Sequence, residues 1–184
     1  MANIGTLANL ATNQAYLDNQ QVNSNFTVGG SNFTVVTTSG TSSLNANGAL
    51  EKTGYSGQLI KSATSNDYFL LDRGTVPTMW SNLAADLNIG LGTFGGGAST
   101  DQIASAKAYA SAEFTRLAQK MADGTTTIDT LYLAGHSSGY AQAIMQYEEL
   151  LRLSQDSSNG YHNQYVALLS KVQIFGDNGA GTPN

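Results

Sequence analysis

Two apolar spacings alternate along this chain, one helical and one with the period of a strand. Residues 6–20 set Leu7, Leu10, Ala11 and Leu17 at helical intervals and predict a leading amphipathic helix. A direct repeat follows, Ser24-Asn25-Phe26-Thr27-Val28 and Ser31-Asn32-Phe33-Thr34-Val35, with Gly29-Gly30 between the copies. A two-residue Gly-Gly turn places Phe26 opposite Phe33 and Thr27 opposite Asn32, so the repeat reads as an amphipathic hairpin. One repeat does not make a solenoid, because stacked architectures need about three units or more. Residues 37–48 are a loop of Ser, Thr, Asn and Gly, and 55–62 and 67–72 read as strands.

Beyond them, 75–99 is Gly-rich with a short helical patch over 80–87. A long helix then opens on a capping box, Ser99 with Gln102, and carries Ile103, Ala106, Ala110, Phe114, Leu117 and Met121 on one face before Gly124 closes it. Residues 128–134 predict a strand, 138–154 a helix, 156–164 a polar loop and 172–175 a last strand. This alternation predicts an α/β fold with a mostly parallel sheet, right-handed crossovers and flanking helices. It forms one domain over 1–184, with the helix and hairpin in 1–48 and the core in 49–184.

A chain of 184 residues with 41% hydrophobic content is long enough to bury a core. Nucleic acid is excluded as a partner, since phosphate binding needs clustered Lys and Arg and the chain has 8 in all, with a net charge of -5. The absence of cysteine rules out disulfides, a thiolate nucleophile and Cys-ligated metal. Met1-Ala2-Asn3-Ile4-Gly5 has neither a basic start nor an apolar core, so no cleaved signal peptide is expected, and no apolar run predicts a transmembrane segment. The expected location is the cytoplasm, or the exterior by a leaderless route.

The candidate chemistry lies in Leu131-Tyr132-Leu133-Ala134-Gly135-His136-Ser137-Ser138-Gly139-Tyr140, where an apolar strand runs through Gly-x-Ser-x-Gly into a helical pattern. That context mounts a serine nucleophile on a strained turn, with the next amide, that of Ser138, placed to bind an oxyanion. The five residues alone match by chance in a chain with 20 glycines, so the flanking strand and helix carry the signal. The alternative is a small-residue turn that packs a helix on a strand. His136 lies on the turn itself and is expected to pack rather than to act as a base.

Further elements join the motif: Arg73-Gly74-Thr75 at the end of an apolar strand, then Trp80, Asp86-Leu87, and later Phe175-Gly176 and Gly181. In this order they resemble the class 3 (fungal-type) lipases and their bacterial relatives over roughly 55–181, and so imply an α/β-hydrolase-like fold. The resemblance implies that Thr75 gives the second half of the oxyanion hole, that the substrate is a lipid or small ester, and that neither a metal nor an organic cofactor is needed. This chain departs from the family in carrying Asp72 for Phe, Ser138 for Leu and Tyr140 for a second Gly. The Gly-rich stretch 90–98 reads as a lid or as a plain surface loop.

In this fold the order is nucleophile, acid, histidine. After Ser137 the histidine is His162, placed by a long helix at the far end of the sheet and expected to be a loop residue. Asp177 follows the returning strand and stands at the serine's end, a candidate acid. The expectation is therefore a serine-dependent carboxylic ester hydrolase of lipase type, incomplete at the C-terminus and nearly inactive without a partner segment that holds its histidine. Alternatives are another acyl hydrolase, such as a thioesterase or peptidase, and a non-catalytic or structural use of the same fold.

Overall fold

The structure is a computed structural model and describes residues 3–17, 20–41, 53–74 and 100–177. Thr75, Trp80, Asp86, the 90–98 stretch, Ser99 and Gly181 lie outside the described residues. In chain order the elements are α1 (Ile4–Thr12), β1 (Asn25–Val28), β2 (Ser31–Thr38), β3 (Gly57–Ser62), β4 (Tyr68–Asp72), α2 (Thr100–Ala122), β5 (Leu131–His136), α3 (Ser138–Gln155), α4 (His162–Leu169) and β6 (Val172–Asp177). The described part is a mixed α/β fold.

One six-stranded sheet runs in sequence order, β1-β2-β3-β4-β5-β6. Its first three pairings are antiparallel and only β4-β5 and β5-β6 are parallel, which corrects the expectation of a mostly parallel sheet. Connection length is the reason for two of the three antiparallel pairings, β1-β2 and β3-β4. Gly29 and Gly30, both at positive φ, turn β1 into β2 directly, and residues 63–67 alone join β3 to β4. A parallel neighbour needs a crossover of a dozen residues or more, and these links have no room for one.

Strand alternation divides the core in two. Leu59, Tyr68, Leu70, Leu131 and Leu133 pack under α2, α3 and α4, whereas Phe33, Val35, Ile60, Phe69, Leu71, Tyr132 and Ala134 pack under α1. Covered on both faces, β4 is buried at every position from Tyr68 to Asp72. On the α1 side, Phe69 stacks on Tyr132 with ring centres 4.8 Å apart and meets Phe33 edge-on at 5.4 Å. Burying each such side chain contributes about 1.5–3 kcal/mol.

The hairpin register is the expected one, with Phe26 opposite Phe33 and Thr27 opposite Asn32. Helix α1 is shorter than 6–20: Asn3 caps it, accepting from the Thr6 amide at 2.8 Å, and it ends at Thr12. Leu17, expected on its buried face, is extended and half-exposed. The expected loop over 156–164 instead leads into α4, whose Tyr165 and Leu168 are buried against the neighbouring helices. His162 is thus the first residue of a helix rather than a loop residue.

One row across the sheet sets the height at which α3 begins. Gly57, Asp72, Gly135 and Gly176 stand side by side on β3, β4, β5 and β6. A Cβ on Gly135 would strike the backbone of Gly139, one on Gly176 the ring of Tyr140, and one on Gly57 the hydroxyl of Tyr55. Gly139 in turn abuts the carbonyl of Asp72. Gly139→Ala is therefore expected to cost about 3 kcal/mol in urea unfolding. Gly160→Ala, with open space around it, should cost less than about 0.5 kcal/mol.

Candidate active site

Ser137 links the end of β5 to α3 with φ 56° and ψ -123°. Among the described non-glycine residues only Asn23 shares a positive φ, and asparagine adopts the left-handed region readily. Serine with this ψ lies outside that region, at a cost of about 1–3 kcal/mol. The surroundings hold it there: β5 is buried on both faces, and α3 is locked down by Gln142, Ala143, Gln146 and Leu150. Serine at a helix N-cap ordinarily bonds a first-turn amide, but the Ser137 hydroxyl makes no such bond.

Ser138 is buried and is the first residue of α3, so its amide belongs to the helix end that favours negative charge. Gly74 comes within reach of the same turn, because a Cβ on Gly139 would lie 3.3 Å from the Gly74 nitrogen. The chain leading to Thr75 therefore leaves β4 alongside the start of α3. The Arg73 amide donates to the Ser56 carbonyl at 2.9 Å and fixes the direction of departure.

Asp177 is the last residue of β6 and the register partner of His136, which places its backbone at the serine's end of the sheet. His136 alternates with Tyr132 and Ala134 and so belongs to the α1 side, across the sheet from α3. His162 is elsewhere. Eighteen residues of α3 carry the chain roughly 27 Å, after which α4 leads into β6 at Val172, opposite the start of β5. Its Nδ1 is buried with no hydrogen-bond partner among the described residues.

Behind the elbow lies a polar cluster that sequence reasoning missed. Asp72 is fully buried, and its Oδ1 accepts from Tyr55 Oη and from Gln146 Nε2, each at 2.8 Å. Burial pushes its carboxyl up to about 8, against the pull of those two hydrogen bonds. The Tyr55 phenol is also raised, by burial first and then by Asp72. Further into α2, Tyr109 shares a 3.1 Å hydrogen bond with Thr37, and buried Glu113 pairs with Arg116 at 3.0 Å. Burial raises Glu113 as well, with Arg116 pulling it back. The Oδ2 of Asp72 and the side-chain carbonyls of Gln142 and Gln146 are buried with no partner among the described residues. The available signal was an aspartate closing an apolar strand, Tyr68-Phe69-Leu70-Leu71-Asp72.

Among the described residues no group of three or more His, Cys, Asp or Glu is arranged to hold a metal, and no helix is long and apolar enough to cross a membrane. Comparison with protein-family models, curated proteins and solved structures finds no match to this chain.

The Asp72 shift has a direct consequence for stability. Its folded pKa lies above the unfolded value near 4, so the folded state holds a proton that the unfolded state releases. Its contribution is complete below pH 4 and is lost as pH rises toward about 8, by up to about 1.4 kcal/mol per pH unit. Thermal melts between pH 4 and 8 should fall less steeply for Asp72→Asn than for the wild type, leaving the share due to Glu113.

Proposed function

We propose that the chain is an α/β-hydrolase-like serine acyl hydrolase, of the carboxylic ester or lipase kind, with Ser137 as its nucleophile. The observation that carries this reading is the backbone of Ser137: a non-glycine residue held at positive φ, between a buried strand and a helix that its hydroxyl does not cap. Strain of this sort needs a surrounding structure that over-determines it and is concentrated at functional positions.

In the reaction, Ser137 Oγ attacks an acyl carbonyl and the carbonyl oxygen becomes an oxyanion. The amides of Ser138 and Thr75 receive it, and removing such a donor typically costs about 3 kcal/mol of barrier. The Oγ proton must go to a general base. Neither His136, on the α1 side, nor His162, at the far end of α3, is assigned that role. Asp177, at the correct end, is the candidate to orient the base. No organic cofactor enters this chemistry, and the substrate is a lipid or small ester.

The placement of the two histidines also favours a second reading, in which the same fold serves as a non-catalytic or structural module. An external base separates the two. With imidazole supplied, a fluorophosphonate should add to Ser137 as Oγ attacks phosphorus, fluoride leaves and imidazole takes the proton. Intact-mass analysis is expected to show one adduct on the wild type and none on Ser137→Ala. Absence of an adduct at every imidazole concentration would favour the non-catalytic module, and p-nitrophenyl ester and thioester panels would then sort an active protein between esterase and thioesterase.

A further inference from the structure

Of the four residues in the row beneath the elbow, Asp72 alone has a side chain, and that side chain is one hydrogen atom short of a complete set of bonds. Its Oδ1 accepts twice, from Tyr55 and from Gln146, while Oδ2 is buried with no donor among the described residues. An ionised carboxylate is an acceptor only, so ionisation would leave a charged oxygen buried and unmet. Gln146 shows the complementary defect: its Nε2 donates to Oδ1, and its own Oε1 is buried with no donor among the described residues. A carboxylic acid and a primary amide close a two-bond ring when the acid keeps its proton. The N–H to Oδ1 bond is half of that ring.

We propose that Asp72 is a protonated positioning residue whose acid–amide ring with Gln146 clips the end of β4 to α3 and so holds Arg73 and Gly74 in register with Ser137. The inference rests on the serine hydrolase reading for its effect on Ser137, but not for the ring itself. Gln146 lies two turns into α3 and is fully buried. The ring therefore bridges the end of β4 and the helix that follows Ser137, where Gly139 already touches the Asp72 carbonyl.

Few charges compete for the proton. Among the described residues the titratable group facing Asp72 directly is Tyr55; behind Tyr55 stand Tyr109 and Glu113 of α2, the latter paired with Arg116. Its neighbours on β3 and β5 are Gly57 and Gly135, and α3 presents the uncharged Gln146. Loss of the proton replaces an attraction to the Gln146 carbonyl by repulsion, so the clip opens as pH rises through the raised pKa.

Asp72→Asn separates this from a merely structural role, because an amide keeps a donor at the Oδ2 position at every pH. Fluorophosphonate labelling of Ser137 with imidazole, measured as the ratio of wild-type to Asp72→Asn rates, cancels the titration of serine and imidazole. The ratio should fall about tenfold between pH 7 and pH 9, tracking the share of Asp72 that keeps its proton. In infrared spectra the carbonyl stretch of a buried protonated carboxyl should be present in the wild type at pH 7, fade through pH 8 to 9, and be missing from the variant. The infrared titration of the wild type stands even if the variant does not fold. A flat ratio, or no such band at pH 7, overturns the proposal while leaving a labelled Ser137 and the hydrolase reading intact. No labelling of either protein at any pH sinks the hydrolase reading and the positioning role with it.

Discussion

The close approach of one helix to the end of the sheet governs this molecule. Helix α3 begins so near β4, β5 and β6 that no Cβ fits at Gly135, Gly139 or Gly176. The chain must then turn from strand to helix within one residue, which forces Ser137 into a conformation that serine avoids. The cost is local and the return is spread out, since the same approach packs Ala143, Leu150 and Leu153 against the strands. Tyr140 adds bulk in the first turn of α3, and the room for its ring comes from Gly176 on the next strand. Bulk added on the helix is offset by space left on the sheet.

The same approach explains why so much polarity is buried on the α2 and α3 side. Leucines fill the centre of the layer, and at the level of Gly57, Asp72 and Gly135 hydrogen-bonding side chains take over. Tyr55, Asp72 and Gln146 hydrogen-bond one another there, leaving Asp72 Oδ2 and Gln146 Oε1 without partners among the described residues, and Tyr109, Thr37, Glu113 and Arg116 extend the polar zone. Groups buried this deeply favour their neutral forms, so the cluster is electrically quiet at neutral pH except for the Glu113 pair.

Local rules were legible in the chain and long-range ones were not. The hairpin register follows from a repeat and a Gly-Gly turn, both contained within a dozen residues. The strand feeding Ser137 and the helix leaving it were legible from periodicity, and the positive φ of Ser137 agrees with the turn that its flanking glycines predicted. Helix α4 was missed because Asn163 and Gln164 interrupt its pattern, although Tyr161, Tyr165 and Leu168 keep helical spacing. Strand direction was misjudged because alternating elements suggest crossovers, whereas the β1-β2 and β3-β4 links are too short for one. Asp72 could not be interpreted from sequence, since its partners lie 17 and 74 residues away and neither is implied by its neighbours.

The sequential order of the sheet also sets an order of assembly. Strands β1 to β4 pair with chain neighbours, and at the hairpin a two-residue link lets them zip at little loop entropy. The β4-β5 seam is different, because it cannot close until everything between Asp72 and Leu131, α2 included, has been gathered in. Contacts of such long sequence separation slow folding. The corner at Ser137 therefore completes late, after a nascent antiparallel half has formed to receive it.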